Sequence, residues 1–451
     1  MKEKLIVRGG NRLTGSVKVC GAKNAVGKAL IASLLTDEEV RLSNVPLNQE
    51  TDIAIELISA IGAEVRREGS TLVIKPEIKT SRVPELSRKN RLPVLAIGPL
   101  LARTGRAEVP FAGATTQPNS VAEMAKAASE AGGDKIGARP VDFHIAALEK
   151  LGAEMETVGG ILSAKTGGLS GASITLPYPS VGATENIILV SVLAKGRTSI
   201  ANAAIEPEII DLVKMLQKMG AIIELGANRQ IFVDGVPRLG GADHELIPDR
   251  LEAASFAVMA LATEGDITVL GANQEHMITF LNTVRRLGGE YEVLDGGIRF
   301  FRSGPLRSAH IETDTHPGFA TDWQQPLAVL LTQAKGSSVI HETVYEDRFG
   351  YTADLRAMGA DIEVVTKCLG DVPCRYQGKM YPHSAIIHGP TPLQGAKLEM
   401  RDIRAGMAHL IAALIASGES EITGVEHIDR GYENIDERIK TLGADVMRVR
   451  E

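Results

Sequence analysis

One phrase recurs six times in this chain: an amphipathic helix, then Gly-Ala or Gly-Gly, then a short strand. It reads "ISAIGAEV", "LEKLGAEM", "LQKMGAII", "VRRLGGEY", "LRAMGADI" and "IKTLGADV", with its glycine at Gly62, Gly152, Gly220, Gly288, Gly359 and Gly443. A repeat of this kind constrains the architecture before any single residue does, because each unit has an apolar face that only its neighbours can cover. In "EPEIIDLVKMLQKMGAIIEL", Ile209, Val213 and Leu216 fall at i, i+4 and i+7 and form one helical stripe. Pro207 suits the first turn, Gly220 suits a left-handed cap, and "AIIEL" reads as the following strand. A second phrase, a glycine turn into a strand, precedes the helices as "TGRAEV", "KGRTSI", "EGDITV", "KGSSVI" and "SGESEI".

The glycine caps are 68 to 90 residues apart. That is long for a solenoid, whose repeats contact only their neighbours. Six α/β units of this size instead predict two domains of three units each. "IPDRLEAASF", near Asp249, falls at the halfway register and marks the crossover. From the turn glycine to the next cap the chain usually runs 23 to 25 residues, but Gly105 to Gly152 takes 47. The surplus is "ATTQPNSVAEMAKAASEA", which predicts an extra helix near 114–131, beginning at Asn119 or Ser120 and stopping at Gly132.

Apolar content of 44% and charged content of 23% are those of a globular protein, and 46 glycines in 451 residues fit many short turns. A net charge of −7 excludes an electrostatic nucleic-acid partner but allows a local cationic pocket. Cys20, Cys368 and Cys374 make neither a CxxC nor a disulfide framework, which places the chain in the reducing cytoplasm. "MKEKLIVRGG" lacks the apolar segment of a signal peptide. Runs such as "AHLIAALIA" are about half as long as a membrane span requires. Cys368 and Cys374 stand six apart with no histidine at ligand spacing, and the ten histidines form no HxxxH, so no metal is expected. "TVGGILSAKTGGLSG" fits neither a dinucleotide nor a P-loop fingerprint.

The residues that carry chemistry sit at comparable turns of different units. Lys23 and Asn24 lie between a strand and an apolar helix, and Arg139 stands just before Pro140, which suits a first helical position where free amides favour an anion. Arg348 follows "HETVYED", Arg404 sits in "MRDIRAGMAHL" and Arg430 in "EHIDRGYENI". Cations converging from separate loops suit a small polyanion, and arginine offers bidentate geometry to carboxylate or phosphate. Asp322, at the mouth of an apolar helix, reads either as an N-cap or as a general base beside those cations.

Nine segments in order resemble the enolpyruvyl transferases over nearly the whole chain, and within them the branch whose acceptor is UDP-N-acetylglucosamine. They are "GAKNA" (21–25), "GGDKIGARPVD" (132–142), "SVGAT" (180–184), "EPEI" (206–209), "PDRLE" (248–252), "HPGFATD" (316–322), "ETVYEDRF" (342–349), "DIRA" (402–405) and "HIDRGYE" (427–433). The resemblance implies a two-domain inside-out α/β barrel of six pseudo-repeats of a βα unit, closing over a cleft. One domain would be residues 1–22 with 250–451 and the other 23–249, the latter carrying the lid loop and its inserted helix. The implied substrates are phosphoenolpyruvate (PEP) and the nucleotide sugar, with no metal or organic cofactor.

By the same resemblance, Lys23, Arg139 and Arg430 hold the phosphate of PEP. Arg348, Arg404 and Arg430 hold its carboxylate, and Arg91 matches a PEP-binding family arginine at the cleft. Asp322 accepts the hydroxyl proton and Asn24 contacts the sugar. Arg139, Pro140, Val141, Asp142 and Phe143, with Ser180, Val181, Gly182 and Val344, cradle the uridine diphosphate. Asp134 stands where most of the family carries a lid cysteine, the proton donor and the target of the epoxide fosfomycin. Aspartate is a poor nucleophile toward an epoxide, so insensitivity to fosfomycin is expected. The family's "GAKNAALP" is here "GAKNAVGK", Pro93 closely follows Arg91, and Gln49 replaces a cleft lysine. These departures keep a different nucleotide or nucleotide-sugar acceptor open, and with it a non-catalytic nucleotide-sugar-binding paralogue.

Overall fold

A computed structural model describes residues 3–86, 91–110 and 141–450. They fall into two compact units, one taking the chain up to Cys20 and again from Pro248, the other running between them from Gly21 to Ile247.

The described residues of each unit form three small sheets, and one hydrogen-bonding order recurs. In the unit of the chain ends, Thr14–Lys18 lies parallel to Asp266–Leu270, which pairs antiparallel with Gly297–Phe301 and through it with Glu290–Leu294. The same parallel-then-antiparallel order links His310–Glu312, Gly336–His341, Ser384–Gly389 and Asp361–Val365. It also links Lys397–Glu399, Glu419–Thr423, Glu3–Arg8 and Asp445–Arg450. The strand Glu3–Arg8 therefore sits inside the sheet that the C-terminal segment builds, and this is why the unit is discontinuous in sequence. The other unit repeats the order twice in full, and its third sheet, Arg106–Pro110, Ile161–Lys165 and Glu154–Val158, has only the parallel bridge Arg82–Glu108 in the fourth place.

Within each unit, helices pack on one another and on the sheets. Arg250–Ala262 and Gln324–Leu331 are buried along their whole length, and Ile403–Ile415 is buried except at its last residue. A helix that is apolar all round belongs in an interior. The alanine-rich sequences "RLEAASFAVMALA" and "IRAGMAHLIAALI" leave room for these helices to pack on one another and on the sheets. In the second unit Lys23–Ala32, Pro93–Thr104 and Val181–Ser191 are the corresponding buried helices.

The six recurrent glycines all have φ between 83° and 134°, a region that penalises any side chain with a Cβ, so each stops its helix and releases the chain into the strand. Ile209, Val213 and Leu216 are buried on one stripe of Pro207–Lys218. One boundary differs from expectation: the helix after the expected lid begins at Asp142 with Val141 at its N-cap, two positions beyond the proline start read from the sequence.

Candidate active site

In the unit of the chain ends, three residues 82 positions apart at their extremes meet at one carboxylate. Arg348 donates through Nη2 to Asp322 Oδ1 at 2.6 Å, and Arg404 donates through Nε to Asp322 Oδ2 at 3.1 Å. The arginine side chains are 3% and 7% exposed and the aspartate 25%, so the acid presents the cluster to solvent. Asp322 lies in the 3-10 turn Thr321–Trp323, and the helix that follows has Trp323 at its N-cap with no side-chain cap. Asp322 is therefore not the N-cap residue of that helix, which is Trp323, and its oxygens accept from two guanidinium groups.

Two buried residues fix this arrangement. Glu342 is wholly buried and accepts from the backbone N–H groups of Val344 (2.9 Å) and Tyr345 (3.1 Å), the Thr321 hydroxyl (2.9 Å) and the Gln324 amide (3.4 Å). It thus joins the turn of Asp322 to the loop of Val344 and Arg348. Burial pushes its carboxyl above the usual range, against the opposing charge of Arg348. Tyr432 receives Arg404 Nη1 on its hydroxyl at 2.6 Å, and Ser255 lies 3.2 Å from that hydroxyl. Burial works against the charge of Arg404, but Tyr432, Asp322 and Asp249 outweigh it and hold the guanidinium firmly protonated. Arg404 itself opens the helix Ile403–Ile415, whose N-cap Asp402 accepts from Arg404 N and Ala405 N. Arg430 is half-buried at the C-cap of Val425–Asp429, two residues before Tyr432.

The second unit carries the other candidates. Lys23 and Asn24 open the helix Lys23–Ala32, Gln49 opens Gln49–Ile61, and Ser180 caps Val181–Ser191 by accepting from Ala183 N at 3.4 Å. The first turns of Lys23–Ala32 and Val181–Ser191 contain no acid, which leaves their N-terminal amides suited to an anion. A Cβ on Gly182 would stand 3.3 Å from the imidazole of His144, so glycine lets the ring lie against this turn. Asn186 donates to His144 Nδ1 at 3.2 Å. Burial, and then the charge of Arg91, push His144 down to about 3, so the ring is neutral. Val141, Asp142 and Phe143 are the N-cap and first residues of Asp142–Lys150.

The altered "GAKNAVGK" segment has a local explanation. Lys28 Nζ is 2.6 Å from Glu185 Oε1, a carboxylate only 2% exposed on Val181–Ser191. Burial raises Glu185 to about 7 despite the opposing lysine. Asp134, Arg139, Pro140 and the expected helix near 114–131 lie outside the described residues.

Residues 7–439 match the family model of EPSP synthase (3-phosphoshikimate 1-carboxyvinyltransferase). The UDP-N-acetylglucosamine 1-carboxyvinyltransferase of Protochlamydia amoebophila (strain UWE25) is 48% identical over 99% of this chain and 94% of its own length. The chain belongs to the UDP-N-acetylglucosamine 1-carboxyvinyltransferase family of enolpyruvyl transferases. The family enzymes of Chlamydia abortus (47% identical, 98% of this chain and 97% of its own) and Staphylococcus aureus strain MRSA252 (38% identical, 100% of both) also align end to end. The enolpyruvyl transferase NikO from Streptomyces tendae shares the fold with a TM-score of 0.82 at 22% identity, covering 99% of both chains. EPSP synthase from Acinetobacter baumannii does so at 0.74 and 18%, covering 100% of both.

Within this carboxyvinyltransferase chain, Glu342, Tyr432 and the Lys28–Glu185 pair escaped the sequence reading. Glu342 heads the quoted "ETVYEDRF" and Tyr432 sits in "HIDRGYE", so their positions were in view, but their roles depend on burial. Sequence spacing offers Cys368 and Cys374 no histidine partner, but the fold does. Strand pairing brings His341 and His383 beside them, with one ligating atom of each of the four within 4.8 Å of the others.

Proposed function

We propose that this enzyme transfers the enolpyruvyl group of PEP to the 3-hydroxyl of UDP-N-acetylglucosamine and releases phosphate, the first committed step of peptidoglycan synthesis, in the cytoplasm. The observation that carries the reading is Asp322 held between Arg348 and Arg404. A transferase of this kind needs a carboxylate to take the acceptor's proton and cations to hold a substrate that brings about three negative charges. Each guanidinium has five N–H donors, so Arg348 and Arg404 can hold the PEP carboxylate while still orienting Asp322.

In the proposed sequence Asp322 accepts the hydroxyl proton as the sugar oxygen bonds to C2 of PEP, and Asp134 supplies a proton to C3. The resulting tetrahedral ketal then loses a C3 proton and the phosphate. Lys23, Arg139 and Arg430 stabilise the phosphate, Arg91 joins the residues that bind PEP, and Asn24 contacts the sugar. The acid-free helix start at Ser180, Val181 and Gly182, with Arg139 to Phe143 and Val344, takes the uridine diphosphate. Two domains of three βα pseudo-repeats each, arranged as an inside-out barrel, are the architecture we attach to this reading. The recurrence of one strand order in five sheets, and of its antiparallel part with a parallel bridge in the sixth, supports it. The Lys28–Glu185 pair favours the nucleotide sugar over a different acceptor, since it assigns the departure at Lys28 to internal packing.

Phosphate release from PEP, measured with UDP-N-acetylglucosamine, with UMP and with no acceptor, tests the proposal. Turnover with the nucleotide sugar alone, and a product heavier by one enolpyruvyl group, is expected. Release only with UMP would reassign the acceptor, and nucleotide-sugar binding without turnover would make the chain a non-catalytic paralogue.

A further inference from the structure

The strand Gly336–His341 ends in His341, and His383 stands immediately before the strand Ser384–Gly389 that pairs with it antiparallel. The loop leading to His383 carries Cys368 and Cys374, both free thiols. All four side chains place a ligating atom within 4.8 Å of the rest, and Cys368 Sγ is 3.2 Å from His383 Nε2. A tetrahedral zinc with two sulfur and two nitrogen ligands holds them about 3.3–3.8 Å apart. Side-chain adjustments of about an ångström therefore close the set.

The surroundings are those of a ligand set. His341 Nδ1 lies 3.5 Å from Glu312 Oε2, and its buried Nε2 has no hydrogen-bond partner among the described residues. A buried ring nitrogen left this way requires an explanation, and a metal ion supplies one. His383 Nδ1 donates to the Tyr381 carbonyl at 2.6 Å, which leaves Nε2 with its lone pair turned toward the cysteines. Glu312 also accepts from Val372 N at 2.8 Å, and a Cβ on Gly370 would fall 2.1 Å from both Glu312 Oε2 and His341 Nδ1, so the loop backbone packs directly on this pair. The Tyr376 N–H lies 3.4 Å from Cys374 Sγ, as a donor to a metal thiolate does.

We propose that His341, Cys368, Cys374 and His383 bind one zinc ion and so staple the loop 366–383 to the end of the strand Gly336–His341. Binding releases two thiol protons and leaves a neutral four-ligand site, with no change of redox state and no open position for a substrate. Its role is structural. Tyr376, within the stapled loop, donates from its hydroxyl to the Val344 carbonyl at 2.7 Å, and Arg375 donates to the same oxygen. The staple thus backs the segment holding Val344 and Arg348, and an effect on substrate affinity follows only where the functional reading above also holds.

The test counts metal in the full-length protein purified without chelator from zinc-supplemented cells. About one zinc per chain is expected, retained in Cys20→Ser and lost in Cys374→Ser, with Glu312→Gln weakening zinc affinity roughly 10- to 100-fold. In parallel, wild-type protein stripped of metal is titrated with Co²⁺, for which the absorption of tetrahedral cobalt thiolate is expected at one equivalent. This arm stands even if the cysteine variant does not fold. Substoichiometric zinc with no tetrahedral cobalt spectrum overturns the proposal. So does a Cys368–Cys374 disulfide found by peptide mapping of freshly isolated protein. Neither result depends on turnover, so the acceptor assignment stands or falls separately.

Discussion

Arg404 donates to Asp322 Oδ2 at 3.1 Å while Arg348 donates to Oδ1 at 2.6 Å, so each oxygen of one carboxylate is held by its own guanidinium, 82 and 26 positions further along the chain. As the proposed base, Asp322 held in this way loses its orientational freedom before the substrate arrives, which is where much of a base's effectiveness originates. Replacing Asp322 with Asn preserves shape and removes the base. Turnover should fall by roughly 10²–10⁴-fold, with UDP-N-acetylglucosamine affinity retained by calorimetry. A variant that turns over normally would remove Asp322 from the proposed mechanism.

Tyr432 holds Arg404 from behind, with its hydroxyl 2.6 Å from Nη1. Tyr432→Phe deletes one hydrogen bond to a charged group, worth about 1.5–3 kcal/mol. The KM for PEP should rise roughly tenfold or more, with nucleotide-sugar affinity unchanged. Equal losses for both substrates would mean a general packing defect.

Glu342 serves the Val344 and Tyr345 amides at once. Glu342→Ala should destabilise the protein on the order of 3 kcal/mol, because two half-buried backbone donors lose their buried acceptor. Chemical denaturation reads this directly, and wild-type stability in the variant would show that water replaces the carboxylate.

The Lys28–Glu185 pair makes stability depend on pH with a definite sign. The Glu185 carboxyl titrates at about 7 in the folded protein against an ordinary value of 4.5, so the folded state binds the proton more tightly. Its contribution is fully present below pH 4.5 and is lost as pH rises toward 7. Relative to Glu185→Gln, the wild type should therefore lose stability between pH 5 and pH 7.5 in urea unfolding. Lys28→Met should cost about 3–5 kcal/mol at pH 8, where it strands a buried charge, and much less at pH 5. A pH-independent difference would exclude titration of Glu185.

By the resemblance of "GGDKIGARPVD", Asp134 is expected at the family's fosfomycin-reactive position. Intact-protein mass spectrometry should find no covalent adduct on the wild type after incubation with the epoxide, and one adduct on Asp134→Cys. An adduct on wild-type protein would refute the expected insensitivity.

The mixed α/β character and the helix ends were legible because they are local. A glycine at φ near +100° follows from the helix it terminates, and the stripe of Ile209, Val213 and Leu216 follows from a 3.6-residue period. The Asp142 helix start was misread because Pro140 is a permissive N-terminal signal and tolerates displacement by two residues. Asp322 was singled out as an acid beside cations, and which arginines reach it, Arg348 and Arg404, is visible only in the fold.

The sequence by itself determined which residues could do chemistry and where each helix had to stop, since residue type and short-range periodicity are written along the chain. Only the tertiary structure decided which of them act together. Arg348 and Arg404 reach Asp322, His341 joins Cys368, and Lys28 meets Glu185 across 26 to 157 positions. Such meetings depend on sheet register and on the packing of buried helices, and burial then sets the strength of each charge and hydrogen bond.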